Sequence, residues 1–96
     1  MNEADFREWQ RGQEVKPKVI SDTLSRLRRI EKELSCDIDE EFRADGCERL
    51  LGAFLNKGDN EEMKKYPDAR LPIGKYYMST YRLALRKYIE FMESNK

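Results

Sequence analysis

The sequence contains no histidine, only two cysteines, and no apolar run close to the ~20 residues that a membrane-spanning helix needs. Without histidine, the chain lacks the commonest general base and the commonest protein ligand of transition metals. The five glycines are scattered and form no phosphate-binding loop. These absences argue against catalysis by this chain alone. We therefore expect no enzyme activity, no cofactor, no metal site and no membrane association.

The cysteines and carboxylates likewise fit no metal-site pattern. Cys36 and Cys47 lack the C-x-x-C spacing of a structural zinc site. Five carboxylates cluster between Asp37 and Asp45, but the twelve-residue pattern of a calcium loop, with glycine at its sixth position, is absent. A Cys36–Cys47 disulfide is one alternative, although two buried small hydrophobic side chains fit better. The polar, acidic amino terminus predicts no signal peptide, so a cytoplasmic protein with reduced thiols is the default expectation.

The charges balance in number but not in position. Charged residues make up 40% of the 96-residue chain, the net charge is zero and the pI is about 6.3. That balance argues against a strongly basic nucleic-acid binder. Basic residues nevertheless concentrate in residues 16–32 and 70–87, and acidic residues in 37–48. Such segregation can produce a positive face on a neutral protein, unless the charges mix once the chain folds.

The apolar residues repeat with helical spacing, and no strand pattern of useful length is visible. We therefore predict one all-α domain over residues 1–96, a small bundle of four to five helices that forms a module of a larger protein. Asn2 is expected to cap a short first helix closed by Gly12, with Phe6 and Trp9 docking it. The second helix is predicted from about Pro17 to Leu34. Its core face combines Ile20, Leu24, Leu27, Ile30 and Leu34.

The middle of the chain predicts shorter elements. Asp37 to Glu40 have the form of a capping box that starts a brief turn through Phe42. The next main helix should begin at Asp45 or Gly46 and end at Asn56–Gly58. Its inward residues are predicted to be Cys47, Leu50, Leu51, Phe54 and Leu55. Residues 57–74 are predicted to be an internal loop that holds a turn or two capped by Asn60, with Leu71 and Ile73 tucked against the bundle.

The last helix has a broad apolar face and basic residues away from it. Ser79 is the predicted N-cap, and the helix should end near Glu93. Arg82 and Arg86 lie off the apolar face, and Leu83 points to the polar side.

Phosphate contacts in proteins come mainly from Arg, Lys, hydroxyl groups and backbone N–H groups at helix N-termini. The starts of the second and last predicted helices combine these groups. In the alternative interpretation, Ser79 is only a cap and the nearby arginines pair with Glu90 and Glu93. The predicted DNA-binding residues are Lys16, Lys18, Ser21, Thr23, Arg26, Arg29, Lys75, Ser79, Thr80, Arg82 and Arg86.

A family resemblance points the same way. The run Ile20-Ser21-Asp22-Thr23-Leu24, then Asp37-Ile38, then the stretch from Tyr81 to Met92, resembles the SAM-like core-binding domain of phage integrases and other tyrosine recombinases. The resemblance covers roughly residues 4–93. It implies a helical module that clamps duplex DNA, with the catalytic residues in a separate domain, so no tyrosine here is assigned as nucleophile. Family members are typically basic, whereas this chain is neutral.

The sequence therefore predicts a non-catalytic module that binds double-stranded DNA, linked to a catalytic domain outside this chain. The alternative is a protein–protein interaction or accessory module attached to a nuclease or restriction-type protein. In that alternative Leu83, Trp9 and Tyr76 or Tyr77 would form the contacts.

Overall fold

The architecture comes from a computed structural model, which describes residues 1–67, 69 and 75–94, without the side chains of residues 57 and 75–77. Over these residues the chain is helical and contains no strand, so the predicted all-α class is confirmed. Two short 3₁₀ turns, Asn56–Gly58 and Met63–Lys65, lie between the fourth and fifth helices. The helices are α1 (Glu3–Gly12), α2 (Pro17–Glu33), α3 (Ile38–Asp45), α4 (Glu48–Gly52) and α5 (Lys75–Ser94).

Helices α1 and α2 begin and end where the sequence predicts. The Asn2 side chain accepts a hydrogen bond from the Asp5 backbone N–H at 3.5 Å and caps α1. Pro17 occupies the first position of α2, where its missing N–H costs nothing, and Leu34 follows the last helical residue. The five predicted core residues of α2 are all buried.

Helices α3 and α4 divide the middle of the chain differently from the prediction. The Asp37 carboxylate caps α3 by accepting from the Asp39 N–H at 2.9 Å, as predicted, but α3 continues beyond Phe42. It ends at Asp45, and Gly46 follows with a φ of 69°, which suits a glycine after a last helical turn. Helix α4 then spans only five residues.

Because α4 ends at Gly52, one predicted core residue lies on the surface. Leu55 has an extended backbone (φ −78°, ψ 158°) and is 49% exposed, so the inward assignment of Leu55 is wrong. Cys47, Leu50 and Phe54 are buried as predicted.

The loop predicted over residues 57–74 holds a short turn in its described part. The Asn60 side chain accepts from the Met63 N–H at 2.8 Å, which confirms the predicted cap. The predicted packing of Leu71 and Ile73 lies outside the described residues.

Helix α5 starts earlier than predicted, and this changes the role of two hydroxyl groups. It begins at Lys75, so Ser79 is its fifth residue and the assignment of Ser79 as N-cap is wrong. Ser79 and Thr80 therefore follow the four N–H groups that a helix start leaves unbonded. Ser21 is likewise the fifth residue of α2. None of the three can form a hydroxyl-capped phosphate site at a helix start.

The core forms where α1, α2 and α5 pack together. The ring of Phe6 lies 5.1 Å from that of Tyr88 and 5.4 Å from that of Phe91, and Trp9 lies 5.8 Å from Phe91. These contacts confirm that Phe6 and Trp9 dock α1. Among the described residues, no helix combines the length and apolar character needed to cross a bilayer.

Candidate binding groove between α2 and α5

Most of the predicted phosphate-binding cations form no ion pair with a described residue. Lys16, Lys18, Arg26, Arg82 and Arg86 form no ion pair with any residue that the structure describes. The partner of Glu90 is Lys87, at 3.5 Å, and not an arginine as in the alternative interpretation. Other cations of the chain are paired: Arg28 with Glu3, Arg49 with Glu41 and Arg11 with Glu8.

Three of the predicted residues meet in one groove between α2 and α5. These are Thr23 and Arg26 from α2 and Thr80 from α5. The groove has a volume of about 190 Å³. We call it the α2–α5 groove; its remaining lining residues are Gln10, Val15, Val19, Leu83, Ala84 and Lys87.

The other predicted residues lie outside the α2–α5 groove. On α2 and just before it, Lys16, Lys18, Ser21 and Arg29 are exposed. On α5, Ser79 and Arg86 are exposed and Arg82 is half-buried. The side chain of Lys75 lies outside the described residues.

Thr23 is largely buried. It is only 6% exposed, because it lies on the same face of α2 as Ile20 and Leu27. Its side chain therefore belongs to the wall of the groove. The assignment of Thr23 as a DNA contact stays a prediction.

On α5, Leu83 separates two sets of polar residues. At about 100° per residue, Lys87 lies about 40° to the groove side of Leu83, and Arg86 lies about 60° to the other side. Leu83 itself is 61% exposed. The outer surface of α5 thus presents Lys87, Leu83 and Arg86 next to one another, with Arg26 of α2 across the groove.

One buried polar atom of a groove residue forms no hydrogen bond with a described residue. Gln10, near the end of α1, is 2% exposed, and its Oε1 atom makes no hydrogen bond. An unsatisfied buried acceptor is uncommon in folded proteins and costs about 1–3 kcal/mol.

Two carboxylates of the acidic segment, Asp37 and Asp39, lie with Glu31 around the amino terminus. The Met1 ammonium lies 3.5 Å from Glu31, 3.5 Å from Asp39 and 3.7 Å from Asp37. The Tyr88 hydroxyl donates to Asp39 Oδ1 at 2.5 Å and accepts from the Asn2 N–H at 2.8 Å. We call this set of residues the amino-terminal cluster.

The amino-terminal cluster shifts two pKa values upward. Burial and the hydrogen bond to Asp39 raise the pKa of Tyr88 far above its ordinary value. Burial alone would lower the pKa of the Met1 ammonium, but Glu31, Asp39 and Asp37 outweigh it, so that pKa is raised as well.

Both cysteines are unpaired thiols. Burial raises the pKa of Cys36 to about 11 and that of Cys47 to about 12, so both are protonated at neutral pH. The Cys47 thiol donates to the Ile38 carbonyl at 3.6 Å. Among the described residues, no three Cys, Asp or Glu side chains are arranged to hold a metal ion.

Sequence reasoning missed several groove residues, although a signal existed for one of them. Gln10 follows Phe6 by one helical turn and therefore shares the buried face of α1. Val19 and Ala84 carry no such signal, because their meeting depends on how α2 packs against α5. Comparison of the chain with models of known protein families, with curated proteins and with solved structures finds no match.

Proposed function

We propose that this chain is a non-catalytic DNA-binding module of the kind its sequence resembles, the SAM-like core-binding domain of tyrosine recombinases. The observation that supports it best is the set of cations without ion pairs to described residues: Lys16, Lys18, Arg26, Arg82 and Arg86. A cation without an internal partner keeps its full charge for an external anion.

The contacts in this proposal come from side chains and from one helix start. At the beginning of α2, Lys16 and Lys18 are exposed and no side chain caps the helix. The other cations of the proposal are Arg26, further along α2, and Arg82 and Arg86 on α5. Phosphate contacts of this type position a duplex without reading its sequence.

The first test is a titration of a fluorescent duplex of about 20 base pairs at low and moderate salt. Each neutralised phosphate contributes about 0.9 to the slope of log K against log salt. A protein that uses four or five cations should therefore bind well at low salt and weaken steeply as salt is added. No binding at low salt would contradict the proposal.

Two charge-reversal variants locate the surface. The double variant Arg82→Glu and Arg86→Glu should weaken duplex binding by about tenfold or more, because it removes two phosphate interactions. Each interaction that is removed should also lower the salt slope by about 0.9. The matched control is Lys32→Glu with Arg43→Glu, which changes the net charge equally at two exposed cations outside the proposed surface. Equal weakening by both double variants would reduce the effect to net charge alone.

A protein-interaction module is the second candidate, because Leu83 is a large apolar side chain that is mostly exposed. Trp9 contributes less than the sequence predicted, since its ring packs against Phe6 and Phe91. The side chains of Tyr76 and Tyr77 lie outside the described residues.

A further inference from the structure

The α2–α5 groove concentrates exposed apolar surface. Among the described residues, three large apolar side chains are exposed, and two of them, Val19 and Leu83, line this groove. The third, Leu55, lies elsewhere. Val15 and Ala84 extend the apolar wall. Apolar groups that gather around one concavity mark an interaction site more strongly than apolar groups scattered singly.

The volume of the groove fits one side chain. A cavity of about 150 Å³ lined by apolar residues is large enough to hold benzene. The α2–α5 groove, at about 190 Å³, therefore accommodates a leucine or phenylalanine side chain from a partner.

The polar atoms of the groove specify what else the ligand carries. Arg26 forms no ion pair with a described residue, and Lys87 has only the exposed contact to Glu90 at 3.5 Å. No carboxylate lines the groove among the described residues, so its charge is positive. The complement of this lining is an apolar group with an adjacent anion.

We propose that the α2–α5 groove binds an acidic peptide segment of a protein partner, with one large apolar side chain inserted between Val19 and Leu83. A peptide supplies both features at once: the side chain and a neighbouring Asp or Glu for Arg26. A small ligand confined to the cavity would leave the outer surfaces of Val19 and Leu83 uncovered. The inference develops the second candidate function and does not depend on DNA binding.

Nucleic acid fits the interior of this groove less well. Single-stranded bases are usually held by stacking on aromatic rings, and no aromatic residue lines the groove in the part of the chain that the structure describes. A duplex backbone can approach Arg26 and Lys87, but it has no apolar group to insert beside Leu83.

The experiment uses the whole chain and the synthetic peptide acetyl-Asp-Glu-Phe-Asp-Glu-amide, followed by ¹H–¹⁵N NMR. We expect saturable shifts at the amides of Val19, Leu83 and Ala84, with a dissociation constant on the order of 1 mM or below, as suits one inserted side chain. Replacing the peptide phenylalanine by alanine, or its acids by lysine, should weaken binding by about tenfold. No saturable shift with the first peptide, or equal shifts with all three, would overturn the proposal.

A matched pair of leucine variants tests the location. Leu83→Ser should weaken peptide binding about tenfold, because it removes one apolar wall without adding charge. Leu55→Ser, at an exposed leucine outside the groove, should leave it unchanged. Equal effects of the two would overturn the assignment. Duplex affinity of Leu83→Ser should stay at the wild-type level, so a failure of this inference is distinguishable from a failure of DNA binding.

Charge reversal at Arg26 gives a second test. Arg26→Glu should weaken the acidic peptide and strengthen the lysine-substituted one, and unchanged binding of both would count against the proposal.

Discussion

The amino-terminal cluster and the α2–α5 groove use polar groups in opposite ways. In the cluster, the Met1 ammonium lies within 4 Å of three carboxylates, and the Tyr88 hydroxyl both donates and accepts a hydrogen bond. In the groove, Gln10 Oε1 has no partner and Arg26 has no ion pair with a described residue. The cluster joins the amino terminus, the start of α3 and α5 inside the molecule, whereas the groove leaves Arg26 available for a ligand.

The polar groups of the amino-terminal cluster stabilise the fold, whereas those of the α2–α5 groove are candidates for binding. Groups that satisfy one another within the fold contribute to stability, and their loss is felt as unfolding. Groups left unsatisfied lower the free energy of unfolding, and proteins retain such groups where a binding site needs them. Variants in the two regions should therefore change different quantities.

The largest effect should follow from Tyr88→Phe in the amino-terminal cluster. This change leaves the packing of the ring in place but removes the bonds to Asp39 and to the Asn2 N–H. We expect a loss of about 2 kcal/mol in the free energy of unfolding, since two partly buried partners are left unsatisfied. Urea titration measures it. A loss no greater than that of an average surface change would show that the cluster does not stabilise the fold.

Stability should also fall at alkaline pH, and Tyr88 should account for part of the fall. Its pKa in the folded protein is raised above the ordinary value of 10.0, so its contribution is complete below pH 10 and is lost as the pH rises further. The Met1 ammonium has a raised pKa too, so its contribution is lost as the pH rises above 8.0. Urea titrations between about pH 7 and pH 11 should show the loss from Met1 first. Tyr88→Phe should reduce the loss above pH 10 without abolishing it, because the raised pKa values of Cys36 and Cys47 make stability fall there as well.

A substitution in the α2–α5 groove should raise the free energy of unfolding instead of lowering it. Gln10→Met is expected to raise the free energy of unfolding by about 1 kcal/mol, because it replaces an unsatisfied buried acceptor with an apolar group of similar size. The matched control is Gln13→Met, at an exposed glutamine just after α1, which should change little. Destabilisation by Gln10→Met would place Gln10 with the satisfied residues and remove the contrast between the two regions.

The smallest effect should come from Arg86→Glu. The side chain is exposed and forms no ion pair with a described residue, so the free energy of unfolding should change by less than about 0.5 kcal/mol. Thermal unfolding provides the measurement. A larger destabilisation would mean that Arg86 supports the fold, and the proposed DNA surface would lose one of its members.

The sequence predicted the elements whose information is local. Helix α2 begins and ends within one residue of its predicted bounds, because Pro17 fixes its start and its apolar residues repeat without interruption. The caps at Asn2, Asp37 and Asn60 are also predictable, since a side-chain oxygen two or three residues before an N–H needs no distant partner.

The misplaced start of α5 shows how packing overrides a local signal. Ser79 has the chemistry of an N-cap, but Met78 and Tyr81 lie three residues apart and are both buried. Because Met78 is buried, the helix extends about one turn further upstream, to Lys75. Thr23 is buried for a related reason, because its position on the apolar face of α2 outweighs the polarity of its hydroxyl.

The sequence alone determined the helical class, the caps and the buried face of α2, because each depends on residues within a few positions of one another. Only the tertiary structure decided that Leu55 is exposed, that Gln10 Oε1 lacks a partner among the described residues, and that Val19 and Leu83 form one groove. These outcomes depend on where distant helices meet, and helical periodicity specifies which face is buried but not what covers it.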